Sequence, residues 1–254
     1  MRFACVALCL LGAAPAYARR RVTTFEPTDL SEQEPGKLEL DLQTGATWHD
    51  GSPAHRISAP DFELNLGLMR QVELDLDGAF FVPVGAPGAL HADDLWTSLK
   101  VGIATIRDQE EPTQRLSVGM QLGPRLPFQQ DSRGLGYSAL FLAGYTRRGS
   151  TVAVNAGFTA ETEDRSVARH AMHADLGLDL NMALNGKQTW ALLGELGGSM
   201  FVTRDPHDVH ATVGVQSSAW AFADLSLVAY GGPLAGTDRA AILLGFNPHF
   251  RVWR

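Results

Sequence analysis

Carboxylates fall at every second residue in several stretches of this chain. Glu39 and Asp41 sit in KLELDLQ, Glu63 in DFELNLGL, Glu73, Asp75 and Asp77 in VELDLDG, and Asp175 and Asp179 in ADLGLDLNMAL. Glu195 and Asp224 occur in the same setting, with Gln121 beside them and Lys100, Arg125, Arg239 and Arg251 as counter-charges. Gathered on one enclosed face, such a set makes a negative field that favours cations and neutral polar solutes over anions. The same set also fits an internal salt-bridge network that plugs a narrow barrel, because buried charges need partners.

Other chemistry is thinner. His170 and His173, with His207, Asp208 and His210, flank two connections, and imidazoles with a carboxylate can hold zinc or copper. His170 and His173 are three apart, which puts them on opposite faces of a strand, so no metal site is expected. Ser199, in GGSM, has no visible partner, and no Gly-x-Ser-x-Gly, phosphate loop, dinucleotide fingerprint or Cys/His zinc pattern occurs. We therefore expect no enzyme, no catalytic residues and no cofactor.

The elements that carry these residues are strands. In ADLGLDLNMALNGKQTWALLGEL (174–196), a helix would scatter Leu176, Leu178, Leu180, Met182 and Leu184 around its axis. A period of two places them on one face with Ala174, and Asp175, Gly177, Asp179 and Asn181 on the other. Asn185-Gly186 predicts a tight primed turn, with the chain returning antiparallel through Trp190, Leu192, Gly194 and Leu196. A soluble barrel would turn the leucines inward, whereas a membrane barrel turns them outward.

The ends of the sequence favour the second arrangement. Arg2, the apolar run Phe3 to Ala14 and the small-x-small site Ala16-Tyr17-Ala18 read as a secretory signal peptide over residues 1–18, cut after Ala18. Arg19, Arg20 and Arg21 follow directly, an unusual charge at such a site. Both cysteines, Cys5 and Cys9, lie in this leader, which leaves the mature chain without thiols. Losing Arg2 moves the formal charge from −7 to −8, which gives no reason to expect nucleic acid as a partner. Beyond the leader no apolar run is long enough for a transmembrane helix, so insertion must be by strands. Residues 19–35 are polar and proline-punctuated and read as a flexible tail, which leaves 36–254 as the barrel domain.

The alternation recurs in Leu38/Leu40/Leu42, Phe62/Leu64/Leu66/Leu68, Val72/Leu74/Leu76 and Leu116/Val118/Met120/Leu122. Leu95, Leu99, Ile103 and Ile106 also fit a helix, but Val, Ile and Thr dominate and favour a strand. Longer and shorter connections mostly alternate, as in a membrane barrel with short periplasmic turns and longer outer loops, with RDQEEPT the exception. Trp48, Phe80, Phe81, Trp190, Trp220, Phe246, Phe250 and Trp253 fall near strand ends, where an interfacial belt would place them. The expected fold is all-β: an antiparallel up-and-down transmembrane β-barrel of about twelve strands. Its partners are then outer-membrane lipid and a small-molecule solute. A secreted sandwich or lipocalin-like barrel is the soluble alternative.

Three segments carry a resemblance. DDLWTSLKVGI (93–103), LSVGMQLGPRLPF (116–128) and AAILLGFNPHFRVW (240–253) resemble strands of transporter-like outer-membrane barrels of Gram-negative bacteria, in particular the group named after the meta-pathway of phenol degradation. The likeness is one of texture over residues 36–253. It implies an outer-membrane location and passage of small molecules, apolar ones among them. It also implies recognition of the closing strand by the barrel-assembly machinery through Gly245, Phe246, Phe250 and Val252. Pro248 interrupts that face and Val252 stands where an aromatic is usual. A structural or adhesive barrel without an open pore, and an outer-membrane lipid-modifying enzyme, are the alternative functions.

Overall fold

The computed structural model describes residues 33–48, 55–84, 90–92, 95–111, 113–126, 135–162, 170–202, 207–220, 222–234 and 239–253. The proposed leader and most of the tail lie outside these residues. The strands are β1 (Lys37–Trp48), β2 (His55–Met69), β3 (Val72–Pro83), β4 (His91–Ala92), β5 (Leu95–Arg107), β6 (Arg115–Leu126), β7 (Gly136–Arg147), β8 (Ser150–Thr162), β9 (His170–Ala183), β10 (Trp190–Phe201), β11 (Asp208–Trp220), β12 (Ala223–Gly231) and β13 (Ala240–Arg251). Apart from the two-residue β4, each long strand pairs antiparallel with its neighbours in sequence. β1 also pairs with β13, from Lys37 opposite Arg251 to Trp48 opposite Ala240, and this closes a twelve-stranded barrel. Closure leaves no open sheet edge, the condition for a β structure to stand in lipid. Among the described residues no helix is long and apolar enough to cross a membrane.

The faces sort as the alternation requires. Leu176 is 65% exposed, Leu178 46% and Leu196 55%, whereas Asp179, one residue from Leu178, is only 3% exposed. Tyr145, Trp190, Trp220, Phe250 and Trp253 are exposed near one end of the barrel and Trp48 and Tyr137 near the other, whereas Phe246, expected at a strand end, is exposed in the middle of β13. Phe81 departs from the expected belt. It shares the Arg56 and His91 side of the sheet, with its ring stacked on His91 at 5.3 Å and the Arg56 guanidinium 5.4 Å from its centroid.

Two local expectations change. Asn185-Gly186 does not form a two-residue primed turn: the connection runs from Leu184 to Trp190, which are joined by a backbone hydrogen bond of 2.8 Å. The Asn185 carboxamide accepts the Thr189 N–H and donates to the Thr189 hydroxyl, each at 2.9 Å, and the positive φ of 55° falls on Gln188. The side chain thus stabilises a wider turn and removes the need for positive φ at Gly186. The two-residue primed turn is instead Arg148-Gly149, with φ of 52° and 80°. The two turns interlock, because a Cβ on Gly149 would lie 2.3 Å from the Gln188 carboxamide.

β5 is a strand, and a bulge explains its helical look. The register shifts between Gly102 and Ala104, so Ile103 is an extra residue and Ile106 returns to the outward face. The long RDQEEPT connection serves a contact. Glu111 accepts hydrogen bonds from the guanidiniums of Arg147 (3.1 and 3.2 Å) and Arg148 (2.9 Å), which ties the β5–β6 turn to the β7–β8 turn. First Arg148 and then Arg147 hold the Glu111 carboxyl below its ordinary range. The backbone N–H groups of Glu111 and Glu110 do the same for Asp108.

Candidate functional site

Strand register turns the alternating carboxylates into rows. Asp41 pairs with Glu63 and Glu63 with Asp77, so three acids from β1, β2 and β3 stand side by side. The row continues through Trp96 on β5 to Arg125 on β6, whose guanidinium lies 5.3 Å from the indole centroid. One row nearer the short turns, Glu39 neighbours Asn65, Asp75 and Ser98. In the next, Glu73 pairs with Lys100 and Lys100 with Gln121.

These rows are cross-linked. Lys100 Nζ lies 3.2 Å from Glu73 Oε1, and Glu73 is 1% exposed. Gln121 Nε2 donates to Asp75 Oδ2 at 2.9 Å and to Ser98 Oγ at 2.8 Å, and Gln43 donates to Asp41 at 3.3 Å. Residues 33–36 cross the same end of the barrel: the Gln33 backbone N–H donates to Glu73, and its carboxamide donates to Glu39. Glu39 also accepts Asn247 Nδ2 at 2.7 Å and faces His249 Nδ1 at 3.5 Å, and Asp224 accepts Gln216 Nε2 at 2.9 Å.

The opposite wall is built differently. Asp179 accepts Asn155 Nδ2 at 2.6 Å. Asp175 is the hub of a chain in which Ser138 meets Thr159 at 2.8 Å, Thr159 donates to Asp175 at 3.3 Å, His173 Nδ1 lies 2.7 Å from Asp175, and Ser199 donates to the same carboxylate. Glu195 and Asp208 hold the two ring nitrogens of His210, each at 3.1 Å. Between these polar groups sit side chains almost wholly shielded from solvent: Leu142, Leu193, Val228 and Leu243.

Of the fifteen residues expected to line the interior, Arg239 and Arg251 stand apart. Arg239 is exposed ahead of β13 and donates to the Pro233 carbonyl at 2.7 Å, and Arg251 is exposed at the far end with Glu34 at 2.7 Å. The sequence reading missed His173, His210, Trp96 and Phe81 on the inner face, and the buried leucines. His210 was legible in principle, because HATVGV alternates and shares its phase with Thr212. No group of three or more His, Cys, Asp or Glu able to hold a metal ion occurs among the described residues, and the side chain of His170 lies outside them.

An all-β closed barrel, apolar outside and charged within, defines the outer-membrane β-barrel class. Among solved structures, an outer membrane channel from Pseudomonas putida F1 is similar to this chain over 89% of it and 100% of that chain, at 12% identity and a TM-score of 0.58. The translocator domain of the autotransporter NalP from Neisseria meningitidis aligns at 11% identity over 87% of this chain and 91% of that one, with a TM-score of 0.46. The Vibrio cholerae outer membrane protein OmpT lacking loop L8 aligns at 8% identity over 85% and 100%, with a TM-score of 0.44. No family model matches the sequence, and no curated protein matches it.

Proposed function

We propose that this chain is an outer-membrane channel or transporter-like barrel for passage of small molecules, with an interior that favours cations and neutral polar solutes. One observation carries the reading: polarity is inverted, with Leu176, Leu178 and Leu196 outward while Asp75, Asp77 and Asp179 are buried. A water-soluble barrel would reverse that order. The proposed solute path follows the β1–β6 wall, where the rows of acid stand and Lys100 and Arg125 temper them. In this reading a leader over residues 1–18 exports the chain, the lipid partner meets the outer leucines, and the assembly machinery reads the closing strand through Gly245, Phe246, Phe250 and Val252. The fold likeness to a named outer membrane channel supports the class, and the sequence texture supports the transporter-like group named above.

A structural barrel without an open pore is the second reading, and the shielded Leu142, Leu193 and Leu243 favour it. Fractionation with the outer membrane and heat-modifiable migration on a denaturing gel test the location. Planar bilayers test the pore. Discrete, cation-preferring conductance steps are expected, and silence would favour the closed barrel.

A further inference from the structure

Of the described interior histidines, His210 has a carboxylate within 3.1 Å of each ring nitrogen. Its ring nitrogens face two carboxylates from two strands: Nδ1 lies 3.1 Å from Asp208 Oδ2, and Nε2 lies 3.1 Å from Glu195 Oε1. An ionised carboxylate only accepts hydrogen bonds, so both contacts are satisfied together only when both ring nitrogens carry hydrogen. His249 spans Glu39 and Asp224 more loosely, at 3.5 and 3.6 Å. The seat beneath the His210 ring is also built. Gly197 is its register partner on β10, and a Cβ there would lie 2.8 Å from Nε2 and 2.9 Å from Cε1. The second oxygen of Glu195 is taken by the Thr212 hydroxyl at 3.3 Å, which fixes the carboxylate in place.

We propose that His210, lying as an imidazolium in the seat left by Gly197 and bridging Glu195 to Asp208, sets the ion selectivity of the β9–β12 side of the interior. This deepens the channel reading and rests on it. With the imidazolium in place the three side chains carry one net negative charge, and without it they carry two. Among the described residues, the other ionisable groups on the strands flanking this cluster are Asp175, Asp179 and His173 on β9 and Tyr230 on β12, with Arg239, an exposed cation that donates to the Pro233 carbonyl, beyond β12. His210 is therefore the cation seated between these acids, and its charge sets how strongly they attract other cations.

The test uses the full-length protein in lipid with two variants, His210→Gln and Gly197→Ala. In a potassium chloride gradient, His210→Gln should raise the cation-to-anion permeability ratio by roughly twofold. Gly197→Ala, which displaces the ring without removing it, should move the ratio the same way by less. Histidine ¹⁵N spectra, with the His210 signals assigned from their loss in His210→Gln, should show both ring nitrogens protonated at pH 7. A neutral-tautomer signature at pH 7 would overturn the proposal, as would an unchanged ratio in both variants when they remain heat-modifiable. A wild-type barrel that never conducts defeats the channel reading, and the ¹⁵N spectrum then decides the charge state of His210 by itself.

Discussion

The two halves of the barrel wall solve one problem in two ways. Over β1–β6, carboxylates stand next to carboxylates: Asp41, Glu63 and Asp77 share a row, and compensation comes from a few cations and amides, namely Lys100, Arg125 and Gln121. Over β7–β13, acids are fewer and spaced by apolar side chains. Each named carboxylate there has a hydroxyl, amide or imidazole against it: Asp179 has Asn155, Asp175 has Ser199 and His173, and Glu195 has Thr212 and His210. A half wall of crowded like charges keeps its charge only beside water or a strong counter-ion, whereas the other half can pack. The contrast leaves one side of the barrel crowded with like charge and the other with each charge individually partnered between buried apolar side chains.

The largest test of the contrast is Lys100→Met. Glu73 would remain buried without its cation, and removing one partner of a buried ion pair costs about 3–5 kcal/mol. Urea-driven unfolding from lipid vesicles should show a loss of that order, and Lys100→Met with Glu73→Met should recover most of it. A single variant as stable as the wild type would mean that water already solvates Glu73, making the first wall more open than its burial suggests.

Leu176→Arg comes next. It lies mid-strand on the outer face, and a cation there costs about 2–4 kcal/mol if hydrocarbon surrounds it. Weaker folding into vesicles and a reduced heat-modifiable band are expected, whereas an unaffected variant would contradict a lipid-facing leucine. Leu193→Ala tests the packed wall at a smaller scale. Among the described residues its cluster is Leu193 and Val228 with Ala191 beside them, so the cost should sit at the low end for such truncations, about 2 kcal/mol. Increased conductance in this variant would show that the leucine also narrows the bore.

Much of this was legible in the residues themselves. A period of two sorts Leu176 from Asp175 without any knowledge of neighbours, because each side chain's direction follows from the pleat alone. Which carboxylates would meet was not legible. Asp41, Glu63 and Asp77 come from three strands, and their row depends on registers set by bulges such as those at Gln43/Gly45 and Ser58/Asp61. A one-residue slip would have changed every pairing. The buried leucines escaped for a related reason: Leu193 follows Leu192, and in ALLGEL one of the two must face inward whatever the barrel contains. His210 was grouped with His207 and Asp208 at a connection, whereas the strand already begins at Asp208 and its alternation turns His210 inward. Asn185-Gly186 misled because the side chain of Asn185 offers a second way to stabilise the turn, visible only once Thr189 is within reach.

The smallest expected effect lies at the rim, where the two walls meet through Glu111 on one side and Arg147 and Arg148 on the other. The Glu111 carboxyl is held below its ordinary value of 4.5, chiefly by Arg148 and then by Arg147. A depressed carboxyl contributes its stabilisation in full above its unfolded pKa and loses it as pH falls through the lowered folded value. The tie between the turns should thus be intact at neutral pH and weaken only on acidification below that ordinary value. Because the pair is exposed, salt should weaken it as well. Amide exchange, corrected for its intrinsic pH dependence, should lose protection at residues 108–114 and 147–150 in acid or in Glu111→Gln, while the strands keep theirs. If Glu111→Gln leaves those turns as protected as before, the contact is incidental, and the length of the β5–β6 connection needs another cause.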